Sequence, residues 1–354
     1  PPRTTSSAAS DVYKRQVLYT GNASPATHIL GFKPNLVWGK KRYNNAQNNW
    51  VINDISDINK WISSDGTGAE GSEANGTVFT ATGFTTANND LFVNNGGYYV
   101  AWGWKAGGTP TASNSNTSGA MTANSVAIDG TLQSSYTPSG SPSKYPTKIS
   151  ASTKAGFSIV SWTGGGGSAE TIPHGLNQTP EMMILRGRDA RAWAVYHKNI
   201  VNAGHYMQLN SSNAQSADGA MFNSAAPDSN KFTVGSYNTV NNVNYIGYLW
   251  HSVRGYSNFG TYVGTGSATE GAFAECGFKP AMVMVKCLTN TGSWFILDNK
   301  RDPDNEVVEE LKWDSNAARV VNSNFMDFTA TGFKLRTTGG AVNAAGQSYI
   351  FMAF

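Results

Sequence analysis

The stretch YVAWGW at residues 99–104 recurs as YIGYLW at residues 245–250 and as YIFMAF at residues 349–354. In each copy every second residue, starting from the second position, is large and apolar, whereas Ala101, Gly103 and Gly247 between them are small. Side chains two residues apart lie on one face of a β-strand, so this alternation is typical of a strand with one large apolar face. The three stretches therefore predict three equivalent strands.

Other motifs precede each of these strands in a fixed order. A turn followed by a strand reads GFKPNLVWGK, GLNQTPEMMILR and GFKPAMVMVK, beginning at residues 31, 175 and 277. Next come the tryptophan-led segments WVIND, WAVYH and WFILD from residues 50, 193 and 294, and then FTATGF, KFTVGS and FTATGF. The three stretches quoted first begin with Tyr99, Tyr245 and Tyr349, which we call the closing tyrosines. Pro34, Pro180 and Pro280 precede them by 65, 65 and 69 residues. Such ordered recurrence predicts three homologous units.

The runs of apolar residues within a unit are short, rich in Val, Ile, Phe, Tyr and Trp, and separated by Gly, Asn, Pro and Ser. This pattern predicts an all-β fold of three tandem antiparallel β-sandwich repeats, similar to jelly rolls. We expect the repeats at residues 17–108, 154–255 and 256–354, with the third truncated at its C-terminus. Residues 109–153, rich in Ser, Thr, Pro and Gly, are expected to form a linker or an extended arm.

The first residues differ from the rest of the chain. The segment SAASDVYKRQ within residues 1–16 resembles a translated sequencing adapter, so we expect residues 1–16 to be a non-native leader outside the fold.

Composition restricts the classes of partner. The 354 residues include 26 Lys and Arg against 23 Asp and Glu, a net charge of +3 with no basic stripe, so we expect no nucleic-acid partner. No apolar run approaches the roughly 18 to 20 residues that span a bilayer, so we expect no membrane insertion. Cys276 and Cys287 are too few for a disulfide framework.

Titratable residues indicate no enzyme. His197 and His205 lack a third ligand at metal spacing, and the acidic segment LDNKRDPDNE (297–306) lacks the pattern of a calcium loop, so we expect no metal, no cofactor and no catalytic residue. A carboxylate pair for glycoside hydrolysis is defined in space, so the sequence leaves that alternative open.

A basic residue recurs six positions after each proline, as Lys40, Arg186 and Lys286. If the following strands pair antiparallel, Lys40 with Asp54 and Lys286 with Asp298 are expected to form cross-strand ion pairs. We interpret these residues as structural.

Three aromatic residues lie in polar, loop-like surroundings. Tyr43, Trp61 and Trp313 are candidates for receptor binding, because exposed aromatic rings stack on the apolar faces of sugars or anchor a protein partner. The alternative is that they cover the ends of the sandwiches.

The phrases GFKPNLVWGKKR, AGFSIVSWTG, TIPHGL, WAVYH, GYSNFGTYVGTGS, WFILDNKRDP and YIFMAF resemble a repeat-built domain family of uncharacterised function found in tail-fibre-like and other virion proteins of marine bacteriophages. The resemblance covers roughly residues 17–354. It implies a non-enzymatic virion protein, expected to be a homo-oligomer on the tail or particle surface and extracellular when acting. Its expected partners are a host cell-surface glycan or protein and other virion tail proteins. A decoration or connector protein without a receptor and a glycan depolymerase are the alternatives.

Overall fold

The computed structural model describes residues 13–43, 46–56, 59–73, 76–86, 92–93 and 96–354. The predicted all-β class is confirmed, since strands dominate and the described residues contain only two short helices and one 3₁₀ turn. In the described part of the chain no helix is long and apolar enough to cross a membrane.

The first part of the chain forms a main sheet with the order β1-β9-β3-β4-β5-β6 and a small sheet with the order β2-β8-β7. The strands are β1 (Lys14–Thr20), β2 (Ala26–Ile29), β3 (Leu36–Lys41), β4 (Trp50–Asn53), β5 (Lys60–Ser63), β6 (Gly71–Ser72), β7 (Val78–Thr80), β8 (Gly83–Thr86) and β9 (Tyr98–Trp104).

The second part forms a main sheet with the order β11-β10-β12-β13-β20-β15-β16-β17-β18 and a small sheet, β14-β19. The elements are β10 (Val126–Ile128), β11 (Thr131–Leu132), β12 (Lys148–Ser152), β13 (Phe157–Thr163), β14 (Ala169–Pro173), β15 (Met182–Gly187), β16 (Ala194–His197), β17 (His205–Gln208), β18 (Ser216–Ala217), helix α1 (Gly219–Phe222), β19 (Lys231–Gly235), the 3₁₀ turn Ser236–Asn238 and β20 (Asn244–Trp250).

The third part is one sheet with the order β21-β28-β23-β24-β25-β26-β27-β22. The elements are β21 (Asn258–Val263), β22 (Phe273–Glu275), β23 (Met282–Cys287), β24 (Phe295–Asp298), β25 (Val307–Lys312), β26 (Val320–Phe328), β27 (Gly332–Leu335), helix α2 (Gly340–Asn343) and β28 (Ser348–Ala353). The long strand β26 pairs with β25 and with β27, and so joins what are a main and a small sheet in the other two parts.

The three main sheets share one antiparallel arrangement. We call β9, β20 and β28 the closing strands, and β3, β15 and β23, which follow Pro34, Pro180 and Pro280, the proline strands. In the orders β1-β9-β3-β4-β5, β13-β20-β15-β16-β17 and β21-β28-β23-β24-β25, each closing strand lies between its proline strand and β1, β13 or β21. The register is also shared, because Leu36 pairs with Trp104 and Met182 with Trp250, while Phe354 follows β28 opposite Met282.

Each main sheet is buried on both faces. In the first part, Val37, Ile52 and Ala101 belong to an outer core with the small-sheet residue Phe84. Residues one position away along the same strands, such as Leu36 and Trp102, belong to a different core. Successive side chains of a strand point to opposite faces, so the main sheet separates two apolar layers.

The second of these layers is common to the three parts of the chain. It contains the large residues of all three closing strands, together with Leu36, Met182 and Met282 from the proline strands. The Trp104 ring lies 6.5 Å from that of Trp250 and 5.9 Å from that of Phe354, centroid to centroid. The apolar faces predicted from the sequence therefore meet one another rather than each closing a separate sandwich.

The segment expected to be a linker belongs to the second main sheet. Within residues 109–153, β12 pairs antiparallel with β13, and β10 pairs parallel with β12. Ile149 and Ala151 are fully buried in the shared core. The segment is poor in bulky residues, but two small strands suffice to extend a sheet through main-chain hydrogen bonds.

The expected leader also overlaps the fold. β1 begins at Lys14, and Lys14 to Gln16 pair with Trp104 to Trp102. Strand pairing uses main-chain groups and therefore tolerates these polar residues. Lys14 lies opposite Trp104, as Phe157 lies opposite Trp250 in the second main sheet. Burial lowers the pKa of the Lys14 ammonium group to about 7.

We predict that Trp104→Ala lowers the free energy of unfolding by about 3–5 kcal/mol, because it removes a ring packed between the three parts of the chain. Urea unfolding measures the loss. The control is Trp61→Ala in the same main sheet, where the ring is only half-buried and the loss should be smaller. An equal or larger loss at Trp61 would contradict the shared core.

Candidate functional site

The recurrent basic residues join the three main sheets. Lys40 Nζ donates a hydrogen bond of 2.7 Å to the carbonyl oxygen of Ser315 in the third part. Lys286 Nζ donates one of 2.8 Å to the carbonyl oxygen of Ser212 in the second part. Arg186 Nη2 donates to the carbonyl oxygen of Gly68 in the first part. The contacts run from the first part of the chain to the third, from the third to the second and from the second to the first, so they form a closed ring.

A second ring of contacts lies beside the first. Trp193 Nε1 donates to the carbonyl oxygen of Ser63 at 2.8 Å, and Trp294 Nε1 donates to that of Gln208 at 2.9 Å. The same place in the first part is held by Asn49, whose Nδ2 donates to the carbonyl oxygen of Trp313 at 2.8 Å. Trp50, which the sequence aligns with Trp193 and Trp294, is therefore one position out of register and packs in the outer core instead.

The predicted cross-strand ion pairs are wrong. Leu36 pairs with Asn53 and Gly39 with Trp50, so Lys40 and Asp54 lie at opposite ends of the β3–β4 pair. Asp54 accepts hydrogen bonds from Asn35 and Thr109, and burial raises the pKa of its carboxyl group to about 6.

The same geometry separates the second predicted pair. Met282 pairs with Asp298 and Val285 with Phe295, which leaves Lys286 at the far end of the β23–β24 pair. Asp298 instead forms a fully buried ion pair of 2.7 Å with Arg301 and accepts a hydrogen bond of 3.2 Å from Trp102 Nε1 in the first part. Arg301 thereby holds the pKa of Asp298 below its ordinary value despite burial.

Asp302 and His197, two of the residues considered for metal binding, accept hydrogen bonds within the fold. Asp302 Oδ2 accepts hydrogen bonds from the main-chain N–H groups of Val308 and Glu309. His197 is buried, and desolvation lowers the pKa of its imidazole to about 3. Among the residues that the structure describes, no group of three or more His, Cys, Asp or Glu side chains is placed to hold a metal ion.

The three aromatic candidates have different environments. Trp313, expected to be exposed, is fully buried and stacks on Trp38 with 3.7 Å between ring centroids, so it joins the first and third parts and is closed to a receptor. Trp61 is half-buried at the β5–β6 edge, over Gly71. Tyr43 is half-buried at the surface, where it contacts Tyr98 and Arg319.

A surface around Tyr43 crosses the boundary between the first and third parts. We call it the seam surface; it consists of Arg42, Tyr43, Tyr98, Glu309, Arg319 and Val321. Tyr43 follows β3 and Tyr98 opens β9, and their rings meet edge to face with centroids 5.2 Å apart. Val321 pairs with Glu309 across β26 and β25, so both side chains share one face. The main-chain N–H of Arg319 donates to the carbonyl oxygen of Arg42 at 2.9 Å.

Charged groups fix the geometry of the seam surface. Glu309 Oε2 accepts a hydrogen bond of 2.8 Å from Arg42 Nη2, and Glu309 Oε1 pairs with Arg319 Nη1. The Arg319 guanidinium carbon lies 3.9 Å from the centroid of the Tyr43 ring, which is cation–π distance. These contacts hold the guanidinium group of Arg319 and the carboxylate of Glu309 beside Tyr43.

The exposed part of the seam surface is apolar and aromatic. Tyr98 keeps 46% of its surface exposed and Val321 keeps 56%. The Arg319 side chain remains 19% exposed and has N–H donors beyond the one in its ion pair. An exposed ring beside rigid donors and acceptors is chemically suited to a ligand with one apolar face and hydroxyl groups at its rim.

Sequence analysis found Tyr43 and missed the other members of the seam surface. A signal for Tyr98 was present, because the closing tyrosines are preceded by Tyr98, Asn244 and Ser348, and only the first copy has an aromatic residue there. Arg319 and Glu309 carry no such signal, because they reach Tyr43 from a distant part of the chain.

The family model described as a domain of unknown function, DUF7483, matches the chain twice, over residues 9–141 and 133–354. No curated protein and no solved structure matches it. The two matches agree with a family that is built from repeats. The sequence motifs predict three repeats, and that number stays a prediction.

We predict that Lys286 and Lys40 each make a contribution to the free energy of unfolding that rises as the pH increases from about 8 to about 10. Burial lowers the pKa of Lys286 and of Lys40 to about 8, from an ordinary value near 10.5. Between those values each lysine binds more protons in the unfolded chain than in the folded one, so its contribution to the free energy of unfolding rises with pH.

Urea unfolding at several pH values measures this rise. Lys286→Met should reduce it, whereas Lys279→Met, which removes an exposed lysine of the same part of the chain, should leave it intact. Equal pH profiles for the two variants would show that Lys286 is not buried at the boundary.

Proposed function

We propose that this chain, which belongs to the family of the domain of unknown function DUF7483, is a virion structural protein that binds a host-surface glycan through its seam surface. The resemblance of its motifs to tail-fibre-like proteins supports the virion setting. The exposed Tyr98 ring carries the binding part of the proposal. It packs edge to face on Tyr43, which in turn contacts the Arg319 guanidinium.

The arrangement supports binding through stacking on the C–H face of a pyranose ring. Tyr98 and Val321 provide apolar area, and a rigid aromatic ring loses little conformational entropy on binding. Arg319, whose guanidinium carbon lies 3.9 Å from the Tyr43 ring centroid, has N–H donors beyond the one in its ion pair, and these would bind sugar hydroxyls. Each contact is small, so useful affinity requires several copies of the protein in one particle, where multivalent display raises avidity by about 10² to 10⁴.

The polar contacts between the parts of the chain and around Glu309 favour the presentation of a binding surface over catalysis. The buried basic residues of the main sheets, Lys40, Arg186 and Lys286, donate to loop carbonyl groups of neighbouring parts of the chain. In the seam surface, both oxygens of Glu309 accept hydrogen bonds from guanidinium groups, an arrangement unlike that of a carboxyl acid that must protonate a leaving group. A connector without a receptor remains the second candidate, because joining three sheets into one block also suits a load-bearing part.

The proposal predicts binding without turnover on a bacterial-glycan array in which sugar release is assayed in the same wells. Tyr98→Ala and Arg319→Met should each weaken binding to the best glycan at least tenfold, about 1.4 kcal/mol. Phe273→Ala is the matched control, since Phe273 is 48% exposed on β22 and lies outside the seam surface.

The outcomes separate the candidate functions. Sugar release would identify a depolymerase and overturn the proposal. No binding to any glycan would favour the connector. Binding that Phe273→Ala abolishes and Tyr98→Ala preserves would keep the adhesin but remove the seam surface as its site.

A further inference from the structure

Arg186 has buried N–H groups that the described residues leave without an acceptor. The residue is fully buried, and its Nη2 donates to the carbonyl oxygen of Gly68 in the first part of the chain. Its Nε and Nη1 groups are closed to solvent and have no hydrogen-bond partner among the residues that the structure describes. A buried N–H group without an acceptor is costly, and more so when it carries charge. The boundary between the first and second parts therefore lacks an acceptor beside this guanidinium group.

The other two recurrent basic residues have carboxylates nearby. Burial lowers the pKa of Lys40, and the charges of Asp65 and Asp314 oppose this effect. Burial also lowers the pKa of Lys286, and the charge of Asp314 opposes it there as well. The fold thus places acidic groups where they balance the two buried lysines.

The repeat shows how these carboxylates are positioned. In each part of the chain, a side-chain oxygen after the third strand of the main sheet accepts the main-chain N–H of the residue that forms the second ring of contacts. The donor and acceptor residues are Asn49 and Asp65 at 2.7 Å, Trp193 and Asn210 at 2.9 Å, and Trp294 and Asp314 at 3.0 Å. The second part therefore has an amide where the other two parts have a carboxylate.

This amide cannot replace the carboxylate chemically. Asn210 uses its oxygen to accept the Trp193 N–H, so the other end of its side chain is an N–H₂ group, which only donates. The Arg186 guanidinium carbon lies 5.5 Å from the centroid of the Trp193 ring, directly beside this turn. The second part thus supplies donors at the position from which the other parts supply an acceptor with negative charge.

The charge of Arg186 is not balanced by its neighbours along the chain. Burial lowers the pKa of its guanidinium to about 10, Tyr237 and Asp189 oppose this, and Arg191 adds to it. Both oxygens of Asp189, however, accept hydrogen bonds from Arg191 Nε, at 2.7 and 2.9 Å. Asp189 is therefore engaged by another arginine.

The first part brings a further carboxylate to this boundary, and it is engaged as well. The two oxygens of Glu70 accept hydrogen bonds from Nε and Nη2 of Arg188, each at 2.7 Å. Pairing Glu70 with Arg188 and Asp189 with Arg191 leaves the positive charge of Arg186 in excess among these groups.

We infer that the boundary between the first and second parts binds a small monovalent anion, of the size of chloride, on Nε and Nη1 of Arg186, in the role that Asp65 and Asp314 have in the other parts. The ion would accept the buried N–H groups and balance the guanidinium charge. Complete burial of Arg186 limits the site to a small ion. The carbonyl group that holds Arg186 belongs to Gly68 in the exposed loop 67–69, so a movement of this loop would admit the ion. The site is separate from the seam surface, which lies between the first and third parts.

Exchange of chloride for gluconate at constant ionic strength tests the inference with the full chain. A ligand that binds only the folded state stabilises it, so the Tm should rise by at least about 2 °C between chloride-free buffer and about 300 mM chloride. Broadening of the chloride NMR signal by the protein reports binding directly. An unchanged Tm together with no broadening would overturn the inference, because water would then satisfy Arg186.

A variant that restores the acidic residue locates the site. Asn210→Asp copies the other two parts and keeps an oxygen for the Trp193 N–H, so it should abolish the broadening and at least halve the rise in Tm. Asn213→Asp, the same change at an exposed position of the same loop, should retain both effects. Equal responses of the two variants, or broadening that Asn210→Asp retains, would place the anion elsewhere and overturn the inference.

Discussion

The rest of the structure depends on the packing of three large apolar strand faces against one another. Trp104, Trp250 and Phe354 come from the ends of three closing strands that are far apart in the sequence, and their rings meet in one core. In the first two parts the main sheet also packs on a small sheet, and in the third part β22 and β27 of the same sheet take that place, so each main sheet is buried on both sides. A main sheet alone would expose its most apolar face to water, which is a large penalty at about 25 cal/mol per Å². The parts of the chain are therefore expected to depend on one another for stability.

The polar contacts at the boundaries add specificity to this packing. A buried ammonium or guanidinium group is costly unless it is hydrogen-bonded, and Lys40, Arg186 and Lys286 each donate to a loop carbonyl group of a neighbouring part of the chain. Sliding one sheet against another would break these bonds, so the arrangement is fixed as well as compact. Residues that do not contribute to the core are the ones available for a function at the surface. Tyr43, Tyr98 and Val321 are of this kind, and they lie where the first part meets the third.

Sequence patterns predicted the strands better than their partners. Alternation in YVAWGW identifies a buried face but does not say what buries it, so separate sandwiches were an equally valid solution. The ion pair between Lys40 and Asp54 failed because both residues lie at the C-terminal ends of their strands, which antiparallel pairing places at opposite ends of the pair. The motif alignment of Trp50 with Trp193 was out by one position. Trp313 was expected to be exposed since its neighbours in the sequence are polar, yet its ring is covered by Trp38 from another part of the chain. Tyr43 was found because its neighbours in the sequence are polar and loop-like. Comparing Tyr98 with Asn244 and Ser348 at the same place in the repeat would have found the second ring of the seam surface.

Differential scanning calorimetry of the intact chain tests the shared core most directly. If the three main sheets are stabilised by one common core, the protein should unfold in a single transition whose calorimetric enthalpy equals its van't Hoff enthalpy. Two or three resolved transitions, or a calorimetric enthalpy well above the van't Hoff value, would show that the parts of the chain unfold independently and would contradict this account.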